Sequence, residues 1–456
     1  MTCFVKAGPE FRVDTRVNGT QTDPAVAALA SGGFVITWTD NTYLLEEIGG
    51  ADVRAQIYGA AGERIGDEFL VNTETIDHQR DAKIAGLLGG GFVVVWQDFS
   101  GMRGDECGSS IKAKVFGHGG ELVRDEFLVN LETRDSQTDP VVAVLPDGGF
   151  VVAWHDFSGT RMDDNVKARM FGPDGIPSSD EFVVNTHTKN YQGAPSVAAL
   201  VGGGFVVAWH DFSGTLGDIS DGSIKAKTFS RTGETVREEF LVNTRKRKDQ
   251  SSPVVSALED GGFVVAWTDC SGTLGDSSGT SIKARLFDGL AAPLGDEFLV
   301  NTETANYQLR PALAPLQEGG FVVVWTDHSG RGGDASGSGI KGKVFGPRGK
   351  TVQDEFLVNT ETKGDQSAAA VVGLVDGSFV VSWRDASSSQ HNAVRLGEIP
   401  YTTIKAQIFT PTRKSIGAVA HADGSSSGAV SRSMKVSSQM ARSLGIYECR
   451  YRGGLH

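Results

Sequence analysis

Phe92, Val93, Val94, Val95 and Trp96 form an unbroken apolar run directly after Gly90 and Gly91. Successive side chains of a strand point to opposite faces, so a half-buried strand alternates apolar and polar residues. Here both faces are apolar, which predicts a strand covered on both sides. Nearly the same phrase ends at Trp38, Trp96, Trp154, Trp209, Trp267, Trp325 and Trp383, and the chain has no other tryptophan. The steps between these residues are 58, 58, 55, 58, 58 and 58. A fixed period of this length marks a repeat architecture.

Each repeat carries four strand signals, here named A to D. In the third they are Val141–Leu145, Phe150–Trp154, Val166–Phe171 and Glu181–Asn185. Short β-branched and aromatic runs between Gly, Pro, Asp and Asn clusters read as strands. The Asp-Gly or Gly-Gly between A and B signals a tight hairpin. No helical period of useful length appears in residues 1–409, so neighbouring sheets must cover strand B. The pattern therefore predicts an all-β, seven-bladed β-propeller of four-stranded blades. An open β-solenoid is the rival, and the chain ends argue against it. The last repeat supplies A, B and Ile404–Phe409 as C, but no D strand follows. The missing Glu-Phe-x-Val phrase stands instead at Glu10–Asp14. A ring closed by its N-terminal strand accounts for this and leaves fewer exposed edges.

The repeats are expected at about 16–73, 74–131, 132–186, 187–244, 245–302, 303–360 and 361–409, the last completed by 8–15. Residues 410–456 break the repeat, are rich in Ser, Gly and Ala, and are expected to be disordered. Net charge is −13, and the basic last segment makes the ring itself more acidic still. Such a ring is a poor nucleic-acid partner and a better host for divalent cations. No apolar stretch is long enough for a membrane helix. The first residues run almost directly into a strand, leaving no room for a cleaved signal peptide. Cys107 and Cys270 fall in distant blades and should not pair, while Cys3 and Cys449 could meet near the closure. A monomer is expected.

Chemistry is sought on the face that carries the B–C and D–A loops. The B–C loops repeat an Asp-x-Ser-Gly-x-x-x-Asp phrase. Its oxygen donors are Asp98, Ser100 and Asp105, then Asp156, Ser158 and Asp163. They continue with Asp211, Ser213 and Asp218, then Asp269, Ser271 and Asp276, and finally Asp327, Ser329 and Asp334. Two carboxylates seven residues apart with a hydroxyl between could wrap a hard cation such as calcium. Equally, an Asp after a strand caps a turn, and the second Asp could pair with a lysine of strand C. The D–A loops place Gln21, Gln79, Gln137, Gln192, Gln250, Gln308 and Gln366 at the start of strand A. They either satisfy backbone groups or ring the channel mouth as ligand contacts. On strand C, Lys112 and Lys114, Lys225 and Lys227, Lys283 and Arg285, Lys341 and Lys343 share a face. They are expected to lay their stems on aromatic neighbours with their heads in water.

Symmetry breaks at blades one and seven. Their B–C loops would form one patch holding Tyr43, Leu44, Leu45, Glu46, Glu47, His391, Arg395, Glu398 and Tyr401. Drift near the closure competes there with a binding site at Tyr43, His391 and Tyr401, or a catalytic one using Glu46, Glu47 and Glu398.

The phrases Gly-Asp-Glu-Phe-Leu-Val-Asn-Thr, Gly-Gly-Phe-Val-Val-x-Trp and Ile-Lys-Ala-x-x-Phe resemble repeats of large bacterial secreted proteins of the hemolysin-type, RTX-like calcium-binding and adhesin kind. The resemblance covers residues 10–409. It implies calcium, an adhesive or lectin-like role, and export to the cell surface or medium without a cleaved signal; a cytoplasmic location is the alternative. That family's Gly-Gly-x-Gly-x-Asp nonapeptides are absent from this chain. The expected function is a non-enzymatic module presenting shallow sites to glycans or cell-surface polymers. A polysaccharide hydrolase or lyase at the blade one/seven patch, or a protein-binding scaffold, are the alternatives.

Overall fold

Trp38, Trp96, Trp154, Trp209, Trp267, Trp325 and Trp383 are all fully buried, each in the seam between two sheets. The computed structural model describes residues 2–16, 19–42, 50–102, 104, 108–159, 163–218, 221–387 and 401–413. Every regular element among them is a strand. They build seven antiparallel four-stranded blades in a closed β-propeller. Blade two shows the order: A is Gln79–Gly86, B Phe92–Asp98, C Ser110–Phe116 and D Leu122–Leu128. No helix is long and apolar enough to cross a membrane.

The two-faced apolar strand B explains the arrangement. Phe92, Val94 and Trp96 pack with Val53, Ala55 and Ile57 of blade one. Val93 and Val95 pack on Phe150, Val152 and Trp154 of blade three. Repeated around the ring, this gives one apolar cluster per seam. The last seam sets Phe34, Ile36 and Trp38 of blade one against Val380, Ile404 and Ala406 of blade seven. Burial of this apolar area is the main driving force for the ring, at about 25 cal/mol per Å².

Closure is by the N-terminus, with a difference from expectation. Phe11–Arg12 pairs Ala406 and Lys405 of strand C in blade seven. Val13 N donates to Ile404 O at 2.8 Å, and Asp14 Oδ1 accepts Ile404 N at 2.7 Å. A further strand, Thr2–Lys6, pairs with Phe409–Arg413. Strand C of blade seven therefore runs on past Phe409 to Arg413. The N-terminal residues before Glu10 carry a Thr-Cys-Phe-Val-Lys run with no copy elsewhere, so repeat comparison gave no reason to see a strand there. Phe4 anchors it by packing its ring at a tilt against Phe379, with centroids 5.0 Å apart.

Candidate functional site

Lys283 of blade five is fully buried, yet its ammonium group has carboxylates on two sides. Its Nζ lies 2.9 Å from Asp269 and 3.1 Å from Glu297 of strand D. Ser271 Oγ also accepts from it, at 2.8 Å. The arrangement recurs with Lys167 between Asp156 and Glu181, Lys225 between Asp211 and Glu239, Lys341 between Asp327 and Glu355, and Lys405 between Asp385 and Glu10. In blade two Lys112 Nζ stands 3.8 Å from Asp98. Arg54 takes the place in blade one, 2.7 Å from Asp40. The heads of these first strand C cations are thus in buried ion pairs rather than in water. The second members, Lys114, Lys227, Arg285 and Lys343, do lie over aromatic rings, Phe116, Phe229, Phe287 and Phe345, but their heads bond Thr73, Thr186, Val242 O and Thr302 rather than standing in water.

The paired loop aspartates turn to different partners. Ser100, Ser158, Ser213, Ser271 and Ser329 hydroxyls donate to Asp98, Asp156, Asp211, Asp269 and Asp327 respectively, closing short turns. Trp209 Nε1 also reaches Asp211 Oδ2, at 3.4 Å. The second aspartates, Asp218, Asp276 and Asp334, accept Asn243, Asn301 and Asn359 Nδ2 at 3.0, 2.9 and 3.0 Å. In blade three Asn165 fills that role and Asp163 accepts Asn190 N instead, at 3.2 Å. Asp105 lies outside the described residues. A calcium ion asks for six to eight converging oxygens. An ammonium ion already occupies the place beside each first aspartate, so the donor set does not fit the ion. Among the described residues no three His, Cys, Asp or Glu side chains form a metal-holding group.

The glutamine ring is equally internal. Gln21, Gln79, Gln137, Gln192, Gln250, Gln308 and Gln366 are all buried. Six of them donate to the carbonyl three residues earlier, as Gln137 Nε2 does to Arg134 O at 3.0 Å. Gln79 and Gln308 also reach Asp98 and Asp327. Asn130, Asn243 and Asn359 donate to the Oε1 of Gln137, Gln250 and Gln366 at 3.0, 3.0 and 3.1 Å. These amides are buried and bonded within their own loops. Of the blade one/seven patch, Tyr43, Glu46, Glu47, His391 and Glu398 lie outside the described residues. Tyr401 is described and partly exposed.

On the loop face of blades three and four, two columns of the repeat carry imidazole and aromatic side chains. The residue after each tryptophan is Thr39, Gln97, His155, His210, Thr268, Thr326 or Arg384. The residue before each ring glutamine is Thr20, His78, Ser136, Tyr191, Asp249, Tyr307 or Asp365. Antiparallel pairing sets His155 opposite Thr138 and His210 opposite Gly193, one residue past each ring glutamine, so the residue before the glutamine lies beside the end of strand B. Tyr191 stands edge-on between His155 and His210, with centroids 4.9 and 5.7 Å away. Phe157 lies 4.0 Å from His155, and Phe212 4.6 Å from His210. Three carboxylates complete the group. Asp139 is 3.8 Å from His155 Nδ1, Asp164 is 3.4 Å from His155 Nε2, and Asp249 is 3.0 Å from His210 Nε2. Sequence reading missed this site because it compared whole repeats; aligning them column by column would have shown it.

Two glycines make the close approach possible. A Cβ on Gly193 would fall 2.6 Å from Tyr191 Oη and 2.8 Å from His155 Nδ1. One on Gly222 would fall 2.0 Å from His210 Nε2. Phe157 and Phe212 remain 36% and 38% exposed, whereas His155 is only 1% exposed. The site is therefore an aromatic surface above a buried imidazole. Burial, and then the charges of Asp139, Asp164 and Asp249, push the Tyr191 phenol up to about 12. It stays protonated and can donate. His155 holds Asp139 below the usual carboxylate range, against the effect of burial. Burial opposes ionisation of Asp249 too, but its bond to His210 prevails.

Asp139 also faces strand A residues of the adjacent blades. A cleft of about 230 Å³ there is lined by Asp81, Lys83, Asp139, Ser252 and Arg310 with prolines 140, 195, 253 and 311. In every strand A the third residue is left-handed: Asp23, Asp81, Asp139, Ala194, Ser252, Arg310 and Ala368 have φ of 47 to 55°. The pairing register slips at the same place, which marks a β-bulge.

No family model matches the chain, and no curated protein sequence matches it. Solved structures do share its architecture. A protein of unknown function from Dyadobacter fermentans aligns with a TM-score of 0.52 and 8% identity, over 89% of this chain and 98% of that one. The polysaccharide lyase Uly1 aligns with a TM-score of 0.50 and 10% identity, over 89% and 99%. An α-L-arabinanase from Penicillium chrysogenum aligns at 0.45 and 14% identity, over 71% and 92%. At such identities the likeness establishes the fold alone: this chain is a seven-bladed β-propeller.

Proposed function

We propose that the chain is a glycan-binding propeller whose binding surface is the group Phe157, His155, Tyr191, His210 and Phe212. One observation carries this reading: exposed Phe157 and Phe212 rings flank Tyr191, with the half-exposed carboxylates of Asp139 and Asp249 beside them. A sugar ring has an apolar C–H face and a rim of hydroxyls. Aromatic faces take the first, and carboxylates and imidazoles take the second. The glutamine ring and the loop aspartates serve the fold in this reading, with a lysine as the resident cation of blades two to seven and Arg54 in blade one. Recognition then sits on one sector of the loop face instead of on seven equal sites. A polysaccharide lyase of similar architecture is consistent with a carbohydrate partner. Export to the cell surface, as the RTX-like resemblance implies, would bring the site to such polymers.

The test is a glycan array probed with the full chain, with and without EDTA, alongside Phe212→Ala. Retention of a glycan by the parent and its loss in the variant is the expected result. An array without hits, or hits indifferent to Phe212, refutes the reading.

A second reading rests on Tyr191. A protonated phenol next to a His210–Asp249 pair provides a proton donor beside a potential base, the equipment of a polysaccharide hydrolase or lyase. Release of reducing ends from the bound polymer, abolished by Tyr191→Phe, would establish it. Binding with no turnover would leave the module non-enzymatic.

A further inference from the structure

The loop between blades four and five reads Arg245-Lys246-Arg247-Lys248. The corresponding four residues of every other D–A loop carry at most one Lys or Arg, in a chain of net charge −13. All four side chains are exposed. The backbone beneath them is fixed. Thr244 N and Arg245 N donate to Glu297 Oε2 at 2.6 and 3.1 Å. Asn243 Nδ2 donates to Arg245 O at 3.1 Å, and Gln250 Nε2 to Arg247 O and Lys248 O at 3.0 and 3.1 Å. Lys248 is left-handed, with φ of 57°. Arg245 leans toward Glu297, 3.9 Å away. Lys246 reaches over the blade four B–C loop, where its Nζ would lie 3.0 Å from a Cβ on Gly217.

The loop leads straight into the aromatic site. Asp249 follows Lys248, and its carboxylate meets His210, whose ring meets Tyr191. A loop held this firmly displays its charges with little ordering cost on binding. Four consecutive exposed cations stand out in a chain of net charge −13. Charge complementarity sets which partner is accepted more than how tightly it is held.

We propose that Arg245–Lys248 selects anionic glycans, chains bearing sulfate or uronate groups, for the aromatic surface beside it. This rests on the glycan reading above. Sugar rings stack on Phe212 and Tyr191 while an acidic substituent one or two residues along the chain meets the guanidinium and ammonium groups. Nucleic acid is the poorer partner, because Asp139, Asp164 and Asp249 line the path a phosphate backbone would continue along. A polysaccharide can place its charges discontinuously.

Calorimetric titration of the purified full chain decides the matter. The probes are a sulfated heparin oligosaccharide, an oligogalacturonate, a neutral xylo-oligosaccharide of equal length and an oligodeoxythymidylate. The variants are K246Q/R247Q and Phe212→Ala, each first shown to melt like the parent. At least one anionic glycan should bind roughly tenfold tighter than the neutral one. K246Q/R247Q should remove that advantage, and Phe212→Ala should weaken both. The heparin and galacturonate arms tell sulfate from carboxylate. Equal affinity for neutral and anionic chains, or an unaffected K246Q/R247Q, overturns the selectivity while a Phe212-dependent signal keeps the glycan site. DNA binding as tight as the best glycan also overturns it. Absence of all glycan binding ends both ideas.

Discussion

Glu297 Oε2 in blade five accepts the backbone N–H of Thr244, in the loop leaving blade four, at 2.6 Å. Its other oxygen holds Lys283. The same strap joins Glu239 to Thr186, Glu126 to Thr73, Glu355 to Thr302 and Glu68 to Thr15. Glu10 does it for Thr360 at 2.5 Å, across the closure. Blades three to seven thus pair an interior lysine with this glutamate, and Arg54 takes the lysine's place in blade one. The Gly-Asp-Glu-Phe phrase, which looked like a strand label in the sequence, is an inter-blade fastening.

Glu297→Gln should therefore destabilise the ring by about 2–3 kcal/mol, because a charged hydrogen bond to a buried ammonium is weakened. Urea unfolding measures it. A loss within experimental error of zero would show that the strap is incidental.

Acid should loosen the same fastenings. Burial works to raise Glu239 and Glu297, but Lys225 on one and the Thr244 N–H with Lys283 on the other hold both below 4.5. A carboxyl depressed on folding stabilises fully above its unfolded value and loses that contribution as pH falls through its folded value. Asp276 and Asp334 act in the opposite sense, since burial raises them. Stability of the parent should fall below about pH 4.5, and Glu239→Gln should flatten that fall. Parallel curves for the two proteins from pH 7 to about pH 3 would contradict the assignment.

Trp209→Ala should cost about 3–5 kcal/mol, as expected for a large aromatic removed from a packed seam. Its ring sits with Phe205, Val207 and Ala153 between blades three and four. Chemical denaturation gives the number, and a cost under about 1 kcal/mol would mean that the seam collapses around the gap.

Removing residues 1–15 should expose strand C of blade seven, from Thr403 to Arg413, as an unpaired edge. Such edges recruit other chains. Light scattering should then show dimers or aggregates. A monodisperse truncation with the parent's melting temperature would argue that Thr2–Lys6 and Phe11–Arg12 are dispensable.

With lysine as the resident cation, EDTA and millimolar calcium should leave the melting temperature unchanged. A bound ion at 100 times its dissociation constant would add about 2.7 kcal/mol. A calcium-dependent rise of that order would place calcium in these loops after all.

The blade number, the strand order and the closing role of Glu10–Asp14 were legible in the one-dimensional pattern. Apolar residues at both parities of strand B demand cover on two faces, and a repeat that lacks its last strand while starting with a spare one demands a ring. Those are local and counting properties, which a chain states outright. What the polar residues do was decided only in three dimensions. Asp269 and Glu297 are far apart in the repeat, and nothing but antiparallel pairing puts both on Lys283. The ion pair is buried because neighbouring blades exclude water from it. His155 and His210 belong to different strands and Tyr191 to the loop between their blades, and they meet because adjacent blades press their loop ends together, with Gly193 and Gly222 leaving the space. Hydrophobic order along the chain determines which fold forms, whereas proximity across seams determines which charges are spent on holding it and which remain to meet a partner.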